Sequence, residues 1–339
     1  MKKLIFLSCI MLVIFSSCSN KSVSFPNYNY TTVYFAYQSP VRTLVLGDYN
    51  YDNTLDNNHQ CEIMATMGGV YTNTKNITIG VSVDTTLCNN LYFANGNRVI
   101  PMPSNYYTLP QNSKTITIPS GSLEGGMVVQ LTDAFFADPR SINTTFVIPM
   151  RMNSVVNADS ILSGNPSVSS PDPRIVSNWV TAPKNYILYC INYINPWHGN
   201  YLRRGAEFLH DNSGKDTTFI YHTAYVETDQ VCSAGTLSMS MDSILLNASS
   251  RNGVNVPFQL RLTFDNNGNC TVTNPPSASY SITGNGTFVK GGDSWGNQAR
   301  DVLHLKYIIN FGTSTHSFTD TLVARDRGVA FQTFSPVVN

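Results

Sequence analysis

Six histidines, at 59, 198, 210, 222, 304 and 316, are the first residues to test for chemistry. No two stand as H-x-x-x-H or H-E-x-x-H, the spacings that put two imidazoles on one metal. His304 and His316 could meet across a hairpin, but two imidazoles without further ligands do not make a zinc site. Asp48-Tyr49-Asn50-Tyr51-Asp52 spaces oxygens like the start of a calcium loop. The sixth position is Asn53 where that loop needs Gly, and the twelfth is His59 where it needs a bidentate Glu, so the stretch reads as a polar connection. Asp293, Asp301, Asp320 and Asp326 are spaced for turns and for ion pairs with Arg300, Arg325 and Arg327. They do not form the clustered carboxylates expected of a glycosidase. Neither a G-x-S-x-G elbow nor a phosphate-cradling glycine loop occurs. The expectation is a protein that is not an enzyme, with no catalytic residue, no metal and no cofactor.

Aromatic residues remain. Tyr and Phe are plentiful, and Trp179, Trp197 and Trp295 join them. Sugar rings stack their C–H faces on such rings while their hydroxyls bond Asn, Asp, Gln and Arg. Trp295 lies in a glycine-rich polar stretch, 290–298, with Asp293 and Asn297 beside it. These three are the candidate ligand-binding residues; the competing reading is a Trp that folds back to plug a barrel end. Trp197 opens the second half of the chain, and Arg325 and Arg327 lie near its close. A structural cation–π contact between them would be worth roughly 0.5–2 kcal/mol.

At the N-terminus, Met1-Lys2-Lys3 is followed by an apolar run over 4–15 and then Ser16-Ser17-Cys18. This is the layout of a signal peptide, with a run too short to span a bilayer. Cys18 stands where a lipoprotein is cleaved and acylated, and two or more acyl chains hold a protein in a membrane. The alternative is an ordinary secretory signal cut near Ser17. Loss of Lys2 and Lys3 leaves 19 basic against 21 acidic residues, a balance unsuited to nucleic acid. Charged residues make up 12% of the chain, about half the usual share, which suits neutral, hydroxyl-rich ligands. Cys61, Cys88, Cys190, Cys232 and Cys270 contain no C-x-x-C. Cys61 and Cys88 could bridge, but buried free thiols are the better expectation.

β-Branched and alternating runs, bounded by Gly, Pro, Asn and Asp, must position these residues. The fold class is all-β: an N-terminal Ig-like β-sandwich, then a C-terminal antiparallel calycin-like barrel or β-sandwich. The expected divisions are a signal peptide over 1–17, a lipidated tether over 18–30, a sandwich over 31–194 and a barrel or sandwich over 195–339. The Ser- and Pro-rich stretch 163–183 reads as loop or linker, and 329–334 as the last strand of the second domain.

Arg42-Thr43-Leu44-Val45-Leu46-Gly47-Asp48, Asp52-Asn53-Thr54-Leu55-Asp56 and Met102-Pro103-Ser104-Asn105-Tyr106-Tyr107 resemble the DUF1735 domain of Bacteroidetes lipoproteins. Ile118-Pro119-Ser120-Gly121 and Phe146-Val147-Ile148-Pro149-Met150-Arg151 continue that likeness. The region from Trp197 through Trp295-Gly296-Asn297 to Arg325-Asp326-Arg327-Gly328-Val329 resembles the DUF4361 domain that often follows it. The resemblance implies a SusE-like, surface glycan-binding accessory lipoprotein beside a SusC/SusD-like outer-membrane uptake system. Its partners would be a glycan, the SusC/SusD-like pair and the lipid bilayer. The alternative is an assembly lipoprotein that docks on the transporter without binding sugar. Proteins of this group displayed outward often carry acids just after the lipidated cysteine. Here Ser19-Asn20-Lys21-Ser22 follows, which leaves a periplasmic face open beside the cell surface.

Overall fold

The computed structural model describes residues 26–110 and 114–339. The leader and Cys18 lie outside the described residues. Among those described, no helix is long and apolar enough to cross a membrane.

The first half is a two-layer sandwich. One sheet runs in the order Ser160–Ile161, Thr32–Tyr34, Gln60–Gly68, Glu124–Leu131, Tyr107–Thr108. The facing sheet runs Gln332–Thr333, Pro40–Val45, Tyr186–Ile194, Phe146–Val156, Ile77–Val83, Thr115–Ile118. Period-two alternation explains the inner faces: Cys61, Ile63, Ala65 and Met67 of one strand all point into the core. Phe146–Val156 opens with five consecutive buried residues because it is covered on both sides. Phe146, Ile148 and Met150 face the other sheet, while Val147 meets Leu188, Cys190, Leu91 and Phe93 in a second cluster.

The strand Tyr186–Ile194 completes the sandwich. The stretch 163–183 is not the linker. It folds onto the sandwich as a two-stranded excursion in which Trp179 Nε1 donates to the Asp172 carbonyl and Arg174 Nη1 to the Leu87 and Asn89 carbonyls. The domains join at Asn195-Pro196.

The second half is a closed barrel, which decides between the two expected forms. Eight strands follow one another: Gly199–Asp211, Gln230–Ser238, Met241–Ser249, Asn255–Phe264, Asn269–Thr273, Ser281–Trp295, Gln298–Asn310 and Ser314–Asp326. The last pairs with the first, from Asn200 opposite Asp326 to Asp211 opposite Ser314. Asp216–Tyr221 adds to the outer half of the first strand. Side chains fill an eight-stranded barrel, and here Tyr201, Phe258, Leu260, Tyr307 and Phe318 do so. The interior also holds two buried ionisable pairs, Arg203 with Asp320 and Glu207 with His316.

The 195–339 division is corrected at its end. Beyond Asp326 the chain leaves the barrel: Gln332 pairs with Val41, and Val337 with Tyr92. Phe334 and Val338 pack on the second sandwich cluster, which offers the apolar surface that an already closed barrel cannot.

Candidate functional site

Arg327 holds the junction together. Its guanidinium donates to the carbonyls of Asn195 (2.6 Å), Asp48 (2.7 Å), His198 (2.8 Å) and Leu46 (3.0 Å). A sandwich loop, the connection and the barrel thus share one planar cation, a use of the five-donor fork that lysine cannot copy. Gly47 fits beneath with φ +83°, and a Cβ there would lie 2.7 Å from the Pro196 side chain. Lys290 adds a 2.8 Å ion pair to Asp48 across the same gap.

Two groups behind the clamp have altered protonation. Burial, then the Arg327 charge, lowers the His198 pKa to about 4, so the ring is neutral and its Nδ1 accepts from Thr236 N at 3.1 Å. Burial raises the Asp242 pKa to about 7. Neither of its carboxyl oxygens has a hydrogen-bond partner. Nearby Asn195 Nδ2 donates instead to the Ser238 and Met241 carbonyls.

Outside the clamp, sandwich and barrel enclose a cleft of about 190 Å³. One wall is Asp48-Tyr49-Asn50; the other is Arg300 and Asp301 with Arg325, Asp326 and Arg327. Three carboxylates and three guanidiniums therefore line it. Tyr49 packs edge-on against the exposed ring of Tyr51, 5.5 Å between centroids. The loop that failed as a calcium motif is thus a cleft wall. Its last acid, Asp52, accepts from Thr54 N and Oγ1. Among the described residues no three His, Cys, Asp or Glu side chains gather as a metal site.

The sequence-predicted ligand residues lie together beside the cleft. Trp295 folds back onto the outside of the barrel, against Leu202, Val302 and Val323. Its Nε1 donates to the Ala324 carbonyl at 2.9 Å, and the Arg300 guanidinium stacks on the ring 4.2 Å from its centroid. It therefore supports the cleft through Arg300. Asn297 has φ 58° and Gly296 φ 60°, so the pair forms the tight turn between Trp295 and Gln298. Asp293 accepts from Ser294 N, and with Asn297 it lines a shallow surface that shares Ala299 with the cleft.

The cation–π expectation for Trp197 is corrected. Its ring stacks flat on Phe264, 4.0 Å between centroids and 5° between planes. Arg327 is occupied by carbonyls, and Arg325 lies 3.6 Å from Asp326. The cation–π contact forms instead between Arg300 and Trp295, because the Trp295 hairpin, rather than the first strand, reaches the outer wall. All five described cysteines are free and buried, so Cys61 and Cys88 are not bridged.

Sequence reading did not single out Tyr49 or Arg300 as cleft residues. Arg300 carries no local signal, since its role comes from two strands of the barrel meeting a loop of the sandwich. The Asp48–Asp52 spacing was the one pointer to this loop, and it read as a polar connection.

Two families match. Residues 196–328 match DUF5627, a domain of unknown function, where the sequence resemblance pointed to DUF4361. Residues 26–159 match a family described as a "-like, N-terminal domain". No curated protein matches. A crystal structure of a protein of unknown function from Bacteroides ovatus shares 40% identity over 92% of this chain and 100% of its own, with a TM-score of 0.86. An auxiliary nutrient binding protein from Bacteroides thetaiotaomicron VPI-5482 is 13% identical over 84% of this chain and 90% of its own, with a TM-score of 0.39. A multidomain protein including DUF1735, from Bacteroides ovatus, is 12% identical over 87% and 93%, with a TM-score of 0.41. Likenesses this distant carry no argument about function. The first does carry one about kinship: with 40% identity over 92% of its length, this chain belongs to the same family as that Bacteroides ovatus protein.

Proposed function

We propose that the protein is a lipoprotein, anchored in the outer membrane through acylated Cys18, whose cleft binds glycan, without acting on it, for a SusC/SusD-like uptake system. The cleft between sandwich and barrel carries this reading. Its carboxylates accept from sugar hydroxyls, Arg300 and Arg325 donate to them, and Tyr49, beside the exposed Tyr51, offers a face for sugar C–H groups. Balanced charge favours a neutral sugar over an anion. At about 190 Å³ the cleft is smaller than the roughly 300 Å³ of an enclosing small-molecule pocket, which suits a short stretch of polymer held at the surface. Trp295 steadies Arg300, while Asp293 and Asn297 extend the polar surface beside it.

Calorimetry against a panel of neutral polysaccharides tests this. Binding to at least one is expected, weakened tenfold or more by Arg300→Ala or Tyr49→Ala, with the melting temperature within a few degrees of the parent. No heat with any glycan would sink the reading. Cys18→Ala is expected to release the protein from membranes, and protease treatment of intact cells reports which face it occupies.

A docking role has its own supporting observation. Tyr37 and Phe331 pair at 4.9 Å on the surface, 54% and 67% exposed, the kind of aromatic anchor found at protein interfaces. Co-purification with an outer-membrane transporter that Phe331→Ser abolishes, without sugar binding, would favour it.

A further inference from the structure

At the barrel end away from the sandwich, three side chains stand in the order of a nucleophilic relay. Ser314 opens the closing strand and His316 follows two residues on, so both side chains lie on one face of that strand. Ser314 Oγ is 2.9 Å from His316 Nε2, and His316 Nδ1 is 2.5 Å from Glu207 Oε1. Glu207, on the opening strand, is fully buried; His316 is 2% exposed, while Ser314 is partly exposed at the rim.

The surroundings favour one arrangement of the protons. Both Glu207 oxygens accept from Ser249 N at 3.0 Å, and the Tyr221 hydroxyl donates to Oε2. A carboxylate so held is an acceptor for His316 Nδ1–H. That tautomer leaves the Nε2 lone pair facing the Ser314 hydroxyl. The Phe311 ring meets the imidazole edge-on at 5.2 Å and gives the rim an apolar side.

We propose that Ser314 is an activated nucleophile and that this rim is a second site, acting on small carboxylic esters with short acyl groups. Ser314 Oγ bonds to the ester carbonyl carbon as its proton passes to His316 Nε2. The alkoxy C–O bond then breaks, and the alcohol leaves with that proton. Water attacks the acyl-serine, giving one proton to Nε2; the acid departs and Oγ recovers the proton. Ester and water become acid and alcohol, with no other reactant. Ser314 and His316 are the catalytic residues, and Glu207 is a positioning residue. The sequence hides this arrangement because the serine lies on a barrel strand rather than in a G-x-S-x-G elbow. It shares no residue with the cleft, so either reading can fail alone.

The folded full-length chain is treated with a fluorophosphonate probe and, separately, with p-nitrophenyl acetate. Peptide mass spectrometry is expected to find the phosphonyl group on Ser314, with none after His316→Asn. Ester turnover is expected to fall at least tenfold in Ser314→Ala, a rim substitution that keeps the fold. Glu207→Gln is expected to lower kcat roughly a hundredfold with KM within twofold, which a structural role alone would not do. An unmodified Ser314 in the folded chain, or equal turnover by the parent and Ser314→Ala, overturns the proposal.

Discussion

Arg327→Ala is the sharpest perturbation of this architecture. It removes four hydrogen bonds from a charged donor, to carbonyls at 46, 48, 195 and 198. Bonds of that kind contribute about 1.5–3 kcal/mol each, before correction for context. The Asp48 contact is at the surface, where water replaces the guanidinium at little cost. Three part-buried bonds remain, against which stands the cost of burying the cation, seen in the lowered pKa of Arg327. The net loss is about 3 kcal/mol. For a chain of this size that is a fall of about 6 °C in melting temperature, at roughly 2 °C per kcal/mol. Because those carbonyls belong to sandwich, connection and barrel, the loss uncouples them, and one calorimetric transition is expected to split into two. Proteolysis is expected to cut near Asn195-Pro196 in the variant and not in the parent. Arg327→Lys is expected to recover only part, since an ammonium cannot span four carbonyls. A variant melting in one transition within 1–2 °C of the parent would refute the reasoning.

Other consequences are open to measurement. Asp242 has a folded pKa of about 7 against an ordinary 3.8, so its contribution to stability is complete below about pH 4 and is lost as pH rises through 7. Asp242→Asn is therefore expected to match the parent near pH 4 and to exceed it by a few kcal/mol at pH 8. Melting curves that stay parallel across that range would contradict this. The described cysteines are free and buried, and burial pushes the Cys88 thiol up to about 12, so little thiolate forms. A thiol reagent is expected to leave Cys61, Cys88, Cys190, Cys232 and Cys270 untouched in the folded chain and to label all five in denaturant; rapid labelling without denaturant would argue against the packing.

Strand identity was written locally. The alternation at Cys61, Ile63, Ala65 and Met67 could be read because a pleat has period two. The all-β class followed from such signals. Partnership was not legible. Nothing near 329–338 tells that this segment crosses back to the sandwich, because that depends on the barrel having already closed between Gly199–Asp211 and Ser314–Asp326. The same limit applies to the sites. Composition marked aromatic and polar residues suited to sugar, and Trp295 stood out by its loop, but its duty is set by Leu202 and Ala324, some 93 and 29 positions away. Tyr49 and Arg300 come to line one cleft, and Glu207 meets His316, only through register summed over many strands. Short-range periodicity determined what each segment is. Closure of the sheets, a property of the whole chain, decided which side chains meet and therefore what chemistry they can do.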